Sequence, residues 1–199
     1  MTFAFRKNFV RSHRFGVRLR RDENGVAAIE FALVAMPFIA LLFGIMGVCH
    51  IFFWMFTLEN AVWSASRDLR TGAFQTASLN SRYAGLTGDA LKNELKKAIC
   101  EKAVNYADCM AHSAVLVQSV TSFAGLQQPN CRTSSNGLIS DATANAAFNA
   151  GSQSSVVLVT LCHSWSFGVK LSYLPMGNAL SDGGLLIQAS SAFRTEPYN

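Results

Sequence analysis

The chain has 199 residues, half of them hydrophobic, with a formal net charge of +5 and a mean hydropathy of +0.23. That length admits one helical span and one modest domain and excludes two large cores. The charge is unevenly placed: residues 1–25 hold seven Lys or Arg against Asp22 and Glu23, so the remainder is neutral.

Taken in order, the leader comes first. Phe3, Phe5, Phe9 and Phe15 interleave with its basic residues, a composition shared with nucleic-acid arms. Lys and Arg beside an apolar span instead mark a cytoplasmic flank. Nothing further along reads a groove, so nucleic acid is not expected as a partner.

From Phe31 to Phe56 runs FALVAMPFIALLFGIMGVCHIFFWMF, interrupted among strongly polar residues only by His50. At the helical rise this stretch reaches about 39 Å, more than the ~30 Å hydrocarbon core. No small-residue cleavage site follows it, unlike a secretory signal. Phe52, Phe53, Trp54 and Phe56 suit an outer membrane interface. Pro37 removes one helical donor and is expected to bend or loosen the helix. Gly44 and Gly47 do not form a GxxxG pair.

Leu58, Ala61, Val62, Ala65 and Leu69 then recur at helical spacing, so the span is expected to continue as an amphipathic stalk to about Gly72. A second amphipathic helix is predicted over Gly88–Val104, its lysines forming a solvated face. Ala114–Phe123 and Val156–Trp165 read as strands, with a last strand over Leu185–Phe193 after a Pro175-containing loop and Gly183–Gly184. Gln127–Gly151 reads as a long loop or small insertion. Helices followed by strands imply an α+β domain with an antiparallel sheet. The organisation expected is a leader at 1–25, a transmembrane helix and stalk at 26–72, and an extracytoplasmic α+β domain at 73–199.

Four cysteines, Cys100, Cys109, Cys131 and Cys162, fall on the exported side, where oxidising conditions favour disulfides. They allow three connectivities. The favoured one joins Cys100 to Cys109, closing a short loop, and Cys131 to Cys162, tying the insertion to the sheet. Cys49 reads as a buried apolar thiol. There is no CxxC, and the four histidines are scattered, so no metal or cofactor is expected.

The chemistry is concentrated in Arg20-Arg21-Asp22-Glu23-Asn24-Gly25-Val26-Ala27-Ala28-Ile29-Glu30-Phe31. A basic leader ends in glycine, four small or apolar residues follow, and a carboxylate opens a long apolar helix. A carboxylate at the edge of hydrocarbon is costly unless paired. This looks like a class III signal, cut after Gly25 by a prepilin peptidase to leave Val26 as the new N-terminus. The Val26 ammonium of one subunit would then neutralise Glu30 of a neighbour.

GVAAIEFALVAMPFIALLFGI resembles the opening of TadE-like proteins, and ENAVWSASRDLRTG resembles the stalk of that family. Likeness is found again in ICEKAVNYADC, in VVLVTLCHSWSF…LSYLP, and in the terminal SAFRTEPYN. It spans nearly the whole chain except residues 124–150. Phe31 follows the carboxylate where major Flp pilins usually carry Tyr, and Cys131 and Cys162 look additional to the common pattern. The resemblance implies a pilin-like fold and a minor pseudopilin or assembly component of the Tad pilus system in the bacterial inner membrane. Prepilin peptidase, other pseudopilins, Tad assembly proteins and lipid are the implied partners, with Glu30 and Phe31 in subunit docking.

Two rivals differ in class. A membrane-tethered enzyme has Ser164 beside His163, but no GxSxG elbow or metal motif, and Asp141 and Asp182 lack partners identifiable by spacing. An enzyme is not expected. An uncleaved single-span protein whose outer domain binds another envelope protein has the same topology, and only N-terminal processing separates the two.

Overall fold

The computed structural model describes residues 25–76, 82–166 and 179–197. The expected leader up to Asn24, the Pro175 loop and the last two residues of the terminal motif lie outside the described residues. The chain divides into two compact units, one ending at Val48 and the other beginning at Cys49.

In the first unit, Gly25 occupies a 3-10 turn and helix α1, Val26–Arg70, begins immediately after it. The helix continues through Pro37. Phe31, Leu33, Val34, Met36 and Phe38 are all exposed. An apolar surface on every side is that of a helix whose solvent is not water, and α1 is long and apolar enough to cross a membrane.

The second unit is α+β. After α1 come α2 (Gly88–Cys100), α3 (Tyr106–His112), β1 (Ser113–Val120), α4 (Asp141–Ala146), β2 (Val156–Trp165) and β3 (Leu185–Arg194). The strands form an antiparallel sheet in the order β1-β2-β3. Valine and leucine dominate β2, and all ten of its residues are buried.

Strand periodicity explains that burial. On one face Val157, Val159, Leu161 and Trp165 join Ile51, Trp54, Leu58, Val62 and Leu69 of α1 and Leu95 and Ile99 of α2 in one core. On the other face Cys162 joins Ala114, Leu116, Cys131 and Ala144 in a smaller cluster, with Leu138 and Ile139 packed against it. The segment between β1 and β2 therefore roofs the far face of the sheet.

Several details differ from the sequence expectation. The outer part of α1 is amphipathic as its spacing indicated, but its buried stripe begins as early as Ile51. Trp54 belongs to the core and is 6% exposed, whereas Phe52, Phe53 and Phe56 are exposed. Cys49 is exposed rather than buried, because the helical repeat that turns Ile51, Trp54 and Leu58 inward points it elsewhere.

Helix α2 stops at Cys100, short of Val104, because the chain turns into α3, whose first residue follows an Asn105 cap that accepts from the Asp108 N–H at 3.2 Å. Strand β1 ends at Val120, and Phe123 lies in a 3-10 turn. The lysine face of α2 is also not simply solvated. Lys96 is buried against Asp141 at 2.7 Å, and Lys92 donates to the Asn145 carbonyl at 2.8 Å, so both hold α4. Gly72 closes α1 with φ of 80°, a conformation that side-chain-bearing residues rarely adopt.

Two disulfides complete the unit: Cys100–Cys109 joins α2 to α3, and Cys131–Cys162 fastens the roof to β2. The loops they close contain 9 and 31 steps of chain, for which the chain-entropy relation gives about 2.5 and 3.5 kcal/mol respectively. Replacing Cys131 and Cys162 together by Ala is therefore expected to cost about 3–4 kcal/mol in urea unfolding, more than the equivalent change at Cys100 and Cys109. Equal losses, or free thiols in non-reducing peptide maps, would contradict this arrangement.

Candidate functional site

The segment expected to be processed lies at the start of α1. Gly25 is exposed, and a Cβ added there would meet nothing within 4 Å. The fold itself places no steric demand for glycine at this position. Val26, the first helical residue, and Phe31 are half and three-quarters exposed.

Glu30 sits one helical turn beyond Val26, is exposed, and makes no ion pair among the described residues. Residues four apart share a helix face, so Val26 and Glu30 form one edge of the surface. A carboxylate at the head of an apolar helix requires a cation or water from outside its own fold.

A second cluster escaped the sequence reading. The His163 ring is fully buried and stacks on Trp54, with centroids 5.4 Å apart and an interplanar angle of 8°. Its Nδ1 shares a 2.9 Å hydrogen bond with Ser113 Oγ. Its Nε2 lies 3.4 Å from Asp108 Oδ2, a close approach without a formed hydrogen bond. Asp108 also takes a 2.9 Å contact from His112 Nδ1.

The cluster therefore links α1, α3, β1 and β2. Its serine, histidine and aspartate resemble the parts of a hydrolase triad, but Ser113 and His163 are sealed in the core. A nucleophile must reach a substrate carbonyl, and this serine faces packed protein. The Asn105-x-x-Asp108 spacing was a legible capping signal for α3, but nothing in one dimension places Asp108 beside His163.

Ser164, next in sequence to His163, points to the opposite face, where it donates to Asp182 Oδ2 at 3.1 Å. Asp182 also accepts from the Gly184 N–H at 2.9 Å. A Cβ at Gly184 would collide with Ser164 Oγ, so glycine permits the close approach. Asp141 is occupied by Lys96. No group of three potential metal ligands occurs among the described residues.

Burial pushes the His163 pKa below its usual value, against the opposing field of Asp108. Tyr83, tying its segment to α1 through a 3.0 Å hydrogen bond to Asp68 Oδ2, is pushed upward, first by burial and then by that carboxylate.

These features define a class: a candidate single-span membrane helix continuous with a small disulfide-linked α+β unit. Residues 25–67 match the family model described as TadE-like protein, a pilus-related likeness that starts at Gly25 and takes in Glu30 and Phe31. The comparisons with curated proteins and with solved structures return no match.

The buried histidine generates a pH prediction. Its folded pKa lies below the unfolded value near 6.5, so the unfolded chain binds more protons as pH falls past that value. The stability held at neutral pH is therefore lost progressively on acidification below about 6.5. Thermal or urea unfolding between neutrality and mild acid should show this slope, and His163→Phe should flatten it. Trp54→Ala, which removes the stacked ring, should cost about 3–5 kcal/mol at any pH in that range.

Proposed function

We propose that this chain is a minor pseudopilin or assembly component of a Tad (Flp-type) pilus, cut after Gly25 by a prepilin peptidase and docked through α1. The proposed organisation has residues 1–25 in the cytoplasm, a transmembrane helix and stalk at 26–72, and a periplasmic domain at 73–199 of an inner-membrane, single-pass protein. Prepilin peptidase, other pseudopilins, Tad assembly proteins and the bilayer are its proposed partners.

The observation that carries this reading is a coincidence of boundaries. The TadE-like match begins at Gly25, and α1 begins one residue later. Cleavage between them would leave a mature chain that is helical from its first residue. The absence of steric need at Gly25 supports the same reading, because its glycine then answers to a protease that must approach the backbone closely. The new Val26 ammonium is the cation that Glu30 of a neighbouring subunit lacks within its own fold. A charge pair at the hydrocarbon edge also sets axial register, since slipping it strands both charges. The +5 leader and the two disulfides suit opposite sides of the membrane.

Two substitutions separate cleavage from docking. Gly25→Leu should leave the leader attached in intact-mass or N-terminal sequencing and abolish pilus assembly. Glu30→Ala should be cut normally but co-purify with partner subunits at least about tenfold less, the loss expected from removing a paired charge in a low-dielectric setting. A wild-type membrane-extracted protein still carrying its leader while pili assemble would refute processing. It would favour the uncleaved anchored binder. A reporter fused after Asn199 should behave as exported, and cytoplasmic activity there would refute the topology.

A further inference from the structure

The two edges of the sheet are treated differently. Beside β1, the roof closes in: Asn149 donates its backbone N–H to Val117 O at 2.8 Å, and Gln118 reaches the Gln127 carbonyl. Beside β3, no strand runs along Leu186–Arg194 among the described residues, and only Leu185 is bridged, to Ala179.

The ladder gives the direction of the free groups. Thr195 donates to Ser155 O, Leu180 donates to Gly184 O, and Glu196 donates to Arg70 O. With the β2–β3 register, these bonds turn the backbone groups of even-numbered residues away from β2. The outward N–H and C=O of Ser190 and Ala192 thus have no backbone partner among the described residues. The strand contains neither proline nor lysine, two common protections of an edge.

A groove of about 510 Å³ lies beside this edge, between β3 and the last turns of α1. Trp63, Arg67 and Arg70 form one wall, and Ser191, Ala192 and Phe193 the other. Trp63 is 70% exposed, a large apolar ring left beside unpaired backbone. Arg70 pairs with Glu196 at 3.1 Å and closes one end. Arg67 has no ion-pair partner among the described residues, so the groove retains one uncompensated cation.

From this we infer that the α1–β3 groove is a docking site for an extended acidic segment of a partner protein, added to β3 as a fourth strand. Main-chain bonds to Ser190 and Ala192 supply the pairing, and alternate side chains face Trp63. A carboxylate on the strand meets Arg67. The charge argues against a second copy of this chain, since two such grooves brought edge to edge would oppose Arg67 to its own image and supply no carboxylate to meet it. Position argues against lipid. Arg67 stands eleven residues beyond Phe56, about 16 Å along the helix, farther than the roughly 5–8 Å of headgroup on one side of a bilayer. The inference deepens the assembly role proposed above but does not depend on cleavage at Gly25.

The test uses full-length protein in detergent or nanodiscs and reads the fluorescence anisotropy of a dye-labelled peptide. The probes are a capped valine/threonine peptide of about nine residues bearing two glutamates, and its lysine counterpart. The acidic peptide should bind at least about tenfold more tightly than the basic one. Arg67→Glu should reverse that preference, and Trp63→Ala should weaken the acidic peptide similarly while leaving unfolding unchanged. Ala192→Pro removes an outward N–H and spares the β2 ladder, so it should abolish binding of both. A folded protein with no detectable binding, or equal binding of the two peptides, would overturn the inference. So would concentration-dependent self-association that Ala192→Pro abolishes, which would make a second copy the occupant. Unimpaired peptide binding by wild-type protein that still carries its leader while pili assemble would instead refute only the processing mechanism.

Discussion

The outer unit depends on one constraint: β2 presents apolar side chains to both faces of the sheet, and neither face can be left in water. A strand of ten buried residues is common in a sheet sandwiched between helices, but here the sheet has three strands among the described residues. One face is covered by α1 and α2. The other is covered by an irregular segment with little apolar material of its own, fastened by Cys131–Cys162 and held at α4 by two lysines of α2. The disulfide is thus the complement of a weak roof. Its entropic contribution of about 3.5 kcal/mol is a large part of the 5–15 kcal/mol by which domains are stable.

The same constraint gives α1 two different environments. Up to Met46 its large apolar side chains are exposed on all sides, and after Cys49 one stripe is committed to the sheet. Trp54 marks the commitment, because its ring lies flat on a histidine that is itself bonded to β1. A neutral His163 is what that packing requires. Charging it would place a cation in the core, where the fields of Asp108 and the His112 backbone do not offset the cost of burial.

The proposed processing segment and the domain core obey opposite logics. In the core three polar side chains are met from within the fold: Ser113 by His163, Ser164 by Asp182, and Lys96 by Asp141. At the start of α1, Gly25 is not required by packing, and Glu30 is not paired among the described residues. Residues that the fold does not explain are the ones whose chemistry points outside the chain. The edge of β3, which has no paired strand among the described residues, follows the same logic, since the opposite edge at β1 is closed by the roof.

Sequence by itself determined the apolar helix, the three strands and the segment that carries Gly25 and Glu30. These rest on local signals: a run long enough to span, β-branched alternation, and a carboxylate at a fixed step from glycine. β2 was legible to its end residues, because a continuous apolar run has sharp borders. Only the tertiary structure decided that Trp54 is core and not interface, that Lys96 is buried, and that Ser113, His163 and Asp108 converge. Each of those depends on which face of one element meets another brought in from 45 or more residues away. Periodicity can locate a face, but the partner that covers it is chosen by packing among all the elements at once.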